Sequence, residues 1–589
     1  MRLYFYQYQA VILKNYVLIA FFILSAWSLI ATARLNRFYQ DSWILEDIEI
    51  YILGLILLYI FSTSRQTDLK KVSILTCWLS FLLFALPALK YTYPYLSTSD
   101  VSVHISLSKS LHSSGRLITN EGYGSTPGFH MLLAVLSILT GMEVENTAKI
   151  LPGLLGSFVP LAFYMLCKRS CLSTGVSKWI ILLSGLCLPL LYTLNGTSFT
   201  IPVFIFLTVF VILSVSEEKD ARIRYILLAL LFMTQIIFWH PSTCLVMSVF
   251  FLSAGIMGYI LRNPRIQSFL TWGVLSLVCT LSYWMHTANY VWEKFLLNLQ
   301  RFLTEDPTPN LIPVRFFQIS LADKAIITWM YHARDALFLI TAIFGFVMFY
   351  RVRRIYRKNL SIESYAVFFL ASIALLGGIF IFDFGAQGYK RFLLYCVALA
   401  PVLAGYFIWR GIALIKMFIP IKEWILFSLV IFLIFSISFF QIYPYQNLVP
   451  VFTSSLDDHA SPITWIHQVN SAYQYQMFEY LNKNMGNGKY LLSDYVGVRQ
   501  EGLFFGSDQT DRRVNTWFVI KPQPALIALH RPGRGGAYSE QVEYRSTGQI
   551  DRWRSYPDMS TIYDNGESFI LFFPVNAQVI SLSTHYQSK

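Results

Sequence analysis

Asp100 opens a polar stretch, Ser97-Thr-Ser-Asp100-Val-Ser-Val-His104, directly after a long apolar run. Asp100 and His104 are four residues apart, a spacing that puts them on one face of a helix. A carboxylate at the lip of a lipid-facing cavity can take the proton from an attacking hydroxyl. The same segment, 91–149, continues through Asn120-Glu121-Gly-Tyr123 to Ser125-Thr-Pro127-Gly128-Phe129-His130. It therefore adds a second acid, Glu121, whose position nothing fixes, and a second imidazole, His130. Two later stretches hold chemistry-bearing residues beside apolar runs: Phe238-Trp239-His240-Pro241-Ser-Thr243 and Tyr389-Lys390-Arg391-Phe-Leu-Leu-Tyr395, the latter followed by Ala400-Pro401. Lys and Arg at a helix end suit a phosphate, since charge-assisted bonds to its oxygens are strong and Arg binds in a fork.

Each of these has a plainer reading. Asp100 is also a good cap for a helix over 101–114. His104 and His130 can be interfacial residues packed on loop backbone, and Pro127-Gly128 can simply start a short helix. His240 can be the neighbour of a helix-ending proline, and Asp383 can pair with Lys390 across a short loop.

The elements that must position these residues are set by composition. Of 589 residues, 55% are hydrophobic and 13% charged, against about 25% charged in soluble domains. Mean hydropathy is +0.51, and aromatics reach 17%, as interfacial Trp and Tyr belts require. The chain reads as a polytopic α-helical membrane protein. Apolar runs at 15–34, 47–62, 72–90, 150–167, 176–193, 200–215, 223–239, 242–260, 268–285, 334–350, 363–382, 391–408 and 423–443 give about 13 transmembrane helices. Gly128–Thr140 is apolar but falls short of the roughly 20 residues a span needs, so it is expected to be re-entrant or to lie along the surface.

Charge fixes the expected orientation. The net charge of +13 sits largely in short loops such as Arg351-Val-Arg353-Arg354-Ile-Tyr-Arg357-Lys358, a distribution that orients membrane spans and argues against nucleic acid as a partner. With the N-terminus cytoplasmic and Gly128–Thr140 not crossing, the basic loops at 65–71, 168–169, 219–224, 262–265, 351–358 and 410–422 all lie inside. Were that helix to cross, every basic loop after it would lie outside, against the positive-inside bias. The external face then carries 91–149, 195–197, 240–243, the loop at 286–333, 383–390 and everything after about residue 443. The start of the chain lacks a cleavable signal, so the run near Val17 to Ala33 is expected to stay as an anchor. The seven cysteines all fall in or beside apolar runs, none after Cys396, and form no metal cluster.

After residue 443 the character changes to polar, Gly- and Pro-containing sequence. An amphipathic helix is expected at Tyr473–Asn484, and strands at Lys489–Asp494, Val514–Ile520 and Ser568–Phe573, with a Gly-rich turn at Arg531–Gly536. The domains are therefore 1–443, transmembrane, and 444–589, an extracytoplasmic α/β domain.

An external loop opening with Asp, a helix ending in Gly and a Tyr-x-x-x-Pro-Gly-Phe-His-type segment together resemble the GT-C glycosyltransferases. These polytopic enzymes take sugars from polyprenyl-phosphate carriers. The resemblance implies that Asp100 is the catalytic base or metal-associated carboxylate, with Glu121 and His104 as its candidate companions. It also implies that Tyr389, Lys390, Arg391 and Tyr395 hold the donor phosphate, while His130 and His240 are further external candidates. The implied function is transfer of a sugar from the lipid carrier to an extracytoplasmic glycan, lipid or protein acceptor in the plasma membrane, with inversion. Two departures stand out: Asp100 is followed by Val101 where mannosyltransferases of this superfamily carry adjacent Asp and Glu, and the oligosaccharyltransferase Trp-Trp-Asp motif is absent. A divalent metal, Mg or Mn, is left open, because the spacing of Asp100, His104 and Glu121 matches no strong metal signature. The rival readings are a lipid-linked-sugar flippase or transporter, which would place ionisable residues mid-span, and a polysaccharide polymerase.

Overall fold

The computed structural model describes residues 68–90, 99–116, 122–170, 172–186, 196–216, 219–304, 335–350, 360–381, 386–418, 430 and five strands between 490 and 573. The expected spans at 15–34 and 47–62, that at 423–443 but for residue 430, the helix at Tyr473–Asn484, the turn at Arg531–Gly536, Glu121 and Asp383 lie outside the described residues.

The helices in chain order are α1 (Leu69–Lys90), α2 (Ser99–Ser114), α3 (Gly128–Thr140), α4 (Val144–Ser157), α5 (Val159–Arg169), α6 (Thr174–Leu186), α7 (Gly196–Ser216) and α8 (Lys219–Trp239). They continue with α9 (Pro241–Ile260), α10 (Pro264–His286), α11 (Asn289–Thr304), α12 (Asp335–Tyr350), α13 (Leu360–Ile381), α14 (Ala386–Leu399) and α15 (Pro401–Phe418). Among the described residues six helical stretches are long and apolar enough to cross a membrane: Val144–Arg169 (α4 and α5 end to end), Phe199–Ser216, Asp220–Trp239, Pro241–Ile260, Pro264–His286 and Pro401–Phe418. Their outward faces are apolar, with Leu227, Leu231, Tyr259 and Val278 exposed. The chain is thus a polytopic helical membrane protein.

α3 has the short length expected from the sequence. Its 13 residues span about 20 Å at 1.5 Å each, against a hydrocarbon core of about 30 Å. It stops at Gly141, whose φ of 66° is the left-handed geometry that glycine adopts without a Cβ penalty. One stripe, Phe129, His130, Leu133, Ala134 and Ser137, is buried, while Ile138 and Leu139 face outward.

Proline explains both interruptions of apolar runs. Between α4 and α5, Pro160 has no N–H to offer the Gly156 carbonyl, and Phe158 turns its N–H back to Leu155 at 3.3 Å. The expected span 391–408 is likewise corrected: Pro401 cannot bond the Val397 carbonyl, which Ala400 N–H takes at 3.0 Å, and the run divides into α14 and α15. A second correction follows. Arg410, expected in a cytoplasmic loop, instead lies within helix α15, which continues to Phe418, and its guanidinium is 5.1 Å from the Trp409 ring centroid.

α9 and α10 form an antiparallel pair with backbones in contact, because glycines face the seam. A Cβ on Gly258 would meet Gln267 N at 2.7 Å, and one on Gly273 would meet Leu252 N at 2.6 Å. Small residues of this kind let membrane helices approach closely. Gly258→Val is expected to force the pair apart at a cost of about 1–3 kcal/mol, the scale of overpacking, read as a lowered Tm of the purified protein in detergent.

In the C-terminal region β1 (Tyr490–Ser493), β2 (Arg513–Asn515), β3 (Ala525–His530), β4 (Ser560–Asp564) and β5 (Ser568–Phe573) form one sheet of order β2-β1-β3-β5-β4. β1 runs parallel to both β2 and β3, while β5 is antiparallel to β3 and β4. The strands expected at Lys489–Asp494 and Ser568–Phe573 are present. The strand expected at Val514–Ile520 is described only as Arg513–Asn515, and β3 and β4 were not anticipated.

Candidate functional site

α2 begins at Ser99, so Asp100 is the second residue of the helix and lies inside its first turn rather than before it. His104 follows one turn later and is buried. It reaches across to α3, its Nδ1 lying 2.8 Å from His130 Nε2 with the rings stacked at a centroid distance of 5.0 Å. One ring must donate its N–H to the bare nitrogen of the other, which neutral imidazoles can do. Burial holds His130 well below the ordinary histidine range, and His104 beside it pushes in the same direction. The pair joins α2 to α3 next to the turn that carries Asp100.

That junction is closed by aromatic rings. Phe129 stacks on Phe199 of α7 at 3.6 Å, His104 sits edge-on to both at 5.8 Å, and Trp239 at the end of α8 packs against Phe129 at 6.1 Å and Phe199 at 5.8 Å. The first residue of α3, Gly128, lies against Trp239 so closely that a Cβ would stand 2.6 Å from its Cδ1. Tyr283, near the end of α10, donates its hydroxyl to the Ser125 carbonyl at 2.8 Å. On the far side of α2, Lys109 pairs with Glu145 in the first turn of α4. Burial pushes the Lys109 pKa down to about 8, partly offset by the nearby Glu143 carboxylate.

A second polar group lies next to the aromatic rings, carried by the residues that follow them. His240 is extended (φ −155°, ψ 113°), as a residue before proline should be, and its carbonyl starts α9 at Pro241. Its Nδ1 lies 2.7 Å from Thr243 Oγ1. Thr243 in turn lies 2.8 Å from Thr200 Oγ1 of α7 and 2.5 Å from the Tyr395 hydroxyl of α14. All four residues are buried. α14 also carries Tyr389, Lys390 and Arg391 in its first half.

The starts of α2, α3, α7 and α9, the ends of α8 and α10, and α14 are therefore gathered at one end of the helical bundle. The structure brings His104 to His130 and links His240 to Tyr395 through Thr243, and it puts Asp100 and the Lys390-Arg391 pair on helices tied into that same end. Glu121 lies outside the described residues. Sequence reasoning missed Thr200 and Thr243, although a threonine three residues past His240 and another inside an apolar run were the available signals. Among the described residues no three His, Cys, Asp or Glu side chains gather as a metal site.

The pH dependence of stability follows from the histidine pair. With His130 held low in the fold, the unfolded chain binds the extra proton below about pH 6.5. Stability from the neutral pair is therefore complete above that pH and falls as pH drops below it, by at most about 1.4 kcal/mol per unit. Tm in detergent is expected to fall between pH 7.5 and pH 5 more steeply in the wild type than in His130→Gln.

Fold and site together define a polytopic helical membrane protein with one polar, aromatic-lined end. No family model matches the chain, and no curated protein matches it. Among solved structures it is similar to ArnT from Cupriavidus metallidurans in the apo state, at 12% identity and a TM-score of 0.47, covering 86% of this chain and 97% of that one. It is also similar to the Archaeoglobus fulgidus oligosaccharyltransferase crystallised with Zn and sulfate, at 12% identity and a TM-score of 0.46, covering 75% of this chain and 62% of that one, less than two thirds of its length.

Proposed function

We propose that this protein is an integral-membrane glycosyltransferase of the GT-C kind, moving a sugar from a polyprenyl-phosphate carrier to an acceptor outside the cytoplasm. The observation that carries the reading is the convergence of α2, with Asp100 in its first turn, and α14, with Lys390 and Arg391, on one end of an apolar bundle. A lipid-borne donor can reach such an end from the bilayer, while a water-soluble acceptor can reach it from outside.

The chemistry follows from the residue types. Asp100 accepts the proton of the acceptor hydroxyl as its oxygen attacks the anomeric carbon. The bond from that carbon to the phosphate oxygen breaks on the opposite face, and the electron pair leaves with the lipid phosphate. Lys390 and Arg391, with Tyr389, hold the charge that develops on the phosphate. A single displacement with one base inverts the anomeric centre. A divalent ion such as Mg or Mn would be held by Asp100 and Glu121, though among the described residues no three His, Cys, Asp or Glu side chains gather as a site for it.

The basic-loop pattern puts the site and the 444–589 region outside, with the N-terminus in the cytoplasm. Apart from Arg410 within α15, the charged groups singled out lie at helix ends rather than mid-span, which favours a transferase over a flippase. The test is turnover of labelled polyprenyl-phosphate sugars by the purified protein in liposomes. Release of label from the lipid carrier supports the reading, and no turnover of any donor across a broad panel would sink it.

A further inference from the structure

The Thr243 hydroxyl has one proton to give and two lone pairs to accept with. Three groups lie within hydrogen-bonding distance: His240 Nδ1 at 2.7 Å, Thr200 Oγ1 at 2.8 Å and the Tyr395 hydroxyl at 2.5 Å. They use its full capacity. The three partners come from three places: the corner between α8 and α9, the first turns of α7, and the middle of α14. Tyr395 and Thr200 are also 3.3 Å apart, so the group closes on itself. The Tyr395 ring packs edge-on against Phe204 at 5.1 Å and is 1% exposed.

α14 is also held at its far end, where Tyr365 of α13 donates its hydroxyl to the Leu399 carbonyl at 2.7 Å, and Phe392 packs against Phe250 at 5.6 Å. Among the described residues, however, the Thr243 group is the polar tie within one turn of the cations. α14 is short, at 14 residues, and Pro401 severs its backbone hydrogen bonding from α15. Arg391 lies four residues before Tyr395, one helical turn away, and Lys390 five before it. Whatever fixes Tyr395 against α7 and α9 therefore bears directly on the height and rotation of the turn, one helical turn away, that carries both cations.

We infer that Thr243 is a positioning residue for the lipid-phosphate site: its hydroxyl locks Tyr395, and through it the Lys390-Arg391 turn of α14, against α7 and α9. Tyr395 then serves the phosphate from behind, as the anchor of the helix that holds it. The inference deepens the proposed glycosyltransferase reading and rests on it.

The experiment measures binding of a long-chain polyprenyl monophosphate without sugar to the full-length protein in detergent, by its effect on Trp fluorescence. It compares wild type, Lys390→Ala/Arg391→Ala, Thr243→Val, Thr243→Ser, Tyr395→Phe and Thr243→Val/Tyr395→Phe, with Tm recorded for each. Thr243→Val and Tyr395→Phe are each expected to weaken binding about tenfold, on the scale of one buried hydrogen bond to a neighbouring group. The double variant should be no worse than either single one, because both break the same tie. Thr243→Ser, which keeps the hydroxyl, should bind like wild type, and acceptor KM should not change in any of these.

Wild-type affinity in both Thr243→Val and Tyr395→Phe, while Lys390→Ala/Arg391→Ala loses binding, would overturn the inference and leave the phosphate site standing. Equal weakening in Thr243→Val and Thr243→Ser, or an acceptor KM that rises in step, would overturn it in favour of a general packing role. If Thr243→Val fails to fold, Tyr395→Phe against wild type decides by the same criterion. Absence of binding by the wild type would overturn the underlying reading itself.

Discussion

Asp100→Asn is expected to lower the turnover of a polyprenyl-phosphate sugar about a thousandfold, within the range that a positioned general base contributes, while the protein stays folded. Asn has the size of Asp and sits in the same first helical turn, but its amide has no basic oxygen able to hold the hydroxyl proton. Losing the carboxylate near the N-terminus of α2 costs about 0.3–1 kcal/mol of favourable interaction with the helix dipole, a small fall in Tm beside the loss of rate. Single-turnover rates and Tm are measured on the same preparation. Near-normal turnover in a well-folded variant would remove Asp100 from the chemistry.

The second large effect is expected at Gly128. A Cβ there would stand 2.6 Å from Trp239 Cδ1, 3.0 Å from its Nε1 and 3.1 Å from Phe238 Cβ. Trp239 is buried edge-on against the stacked Phe129–Phe199 pair, at 6.1 and 5.8 Å, so moving it aside gives up both ring contacts. Gly128→Ala should therefore cost about 2 kcal/mol, the overpacking scale, by lifting the start of α3 away from α8. His130 is two residues further on, so its bond to His104 is strained by the same shift and the α2 turn with Asp100 moves with it. Activity should fall along with Tm. Gly377 on α13 provides the contrast: nothing lies within 4 Å of a Cβ there, and Gly377→Ala should leave both unchanged. Equal behaviour of the two variants would mean that the α3–α8 contact is unimportant.

How far the sequence reaches is clear from particular residues. The membrane class follows from long apolar runs, each of which must satisfy its own backbone hydrogen bonds within a helix. The extent of α3 is legible because Pro127-Gly128 starts the apolar run and Gly141 shows where it stops. The His240-Pro241 corner is legible too, since proline starts helices and excludes its predecessor from them.

The break at Ala400 was available from Pro401 alone, but the apolar run around it masked the signal. Other features need the third dimension. His104 and His130 are 26 residues apart and meet only because α2 and α3 fold back on each other. Thr200, Thr243 and Tyr395 span 195 positions, and each alone looks like an ordinary hydroxyl near an apolar run. The strand Ala525–His530 escaped for a different reason. It lies between β1 and β5 in the sheet interior, where strands become near-continuously apolar, and its two alanines read as helix. Strand β4 is an edge strand with polar ends, and its hairpin partner β5 shows the stronger apolar run.

The most direct test of the account follows a labelled polyprenyl-phosphate sugar of known anomeric configuration through one turnover, with the product's anomeric configuration read by NMR. The wild type is expected to give a glycoside of opposite configuration, and Asp100→Asn none on the same timescale. A product that retains the donor's configuration, or one formed equally fast by Asp100→Asn, would contradict this mechanism.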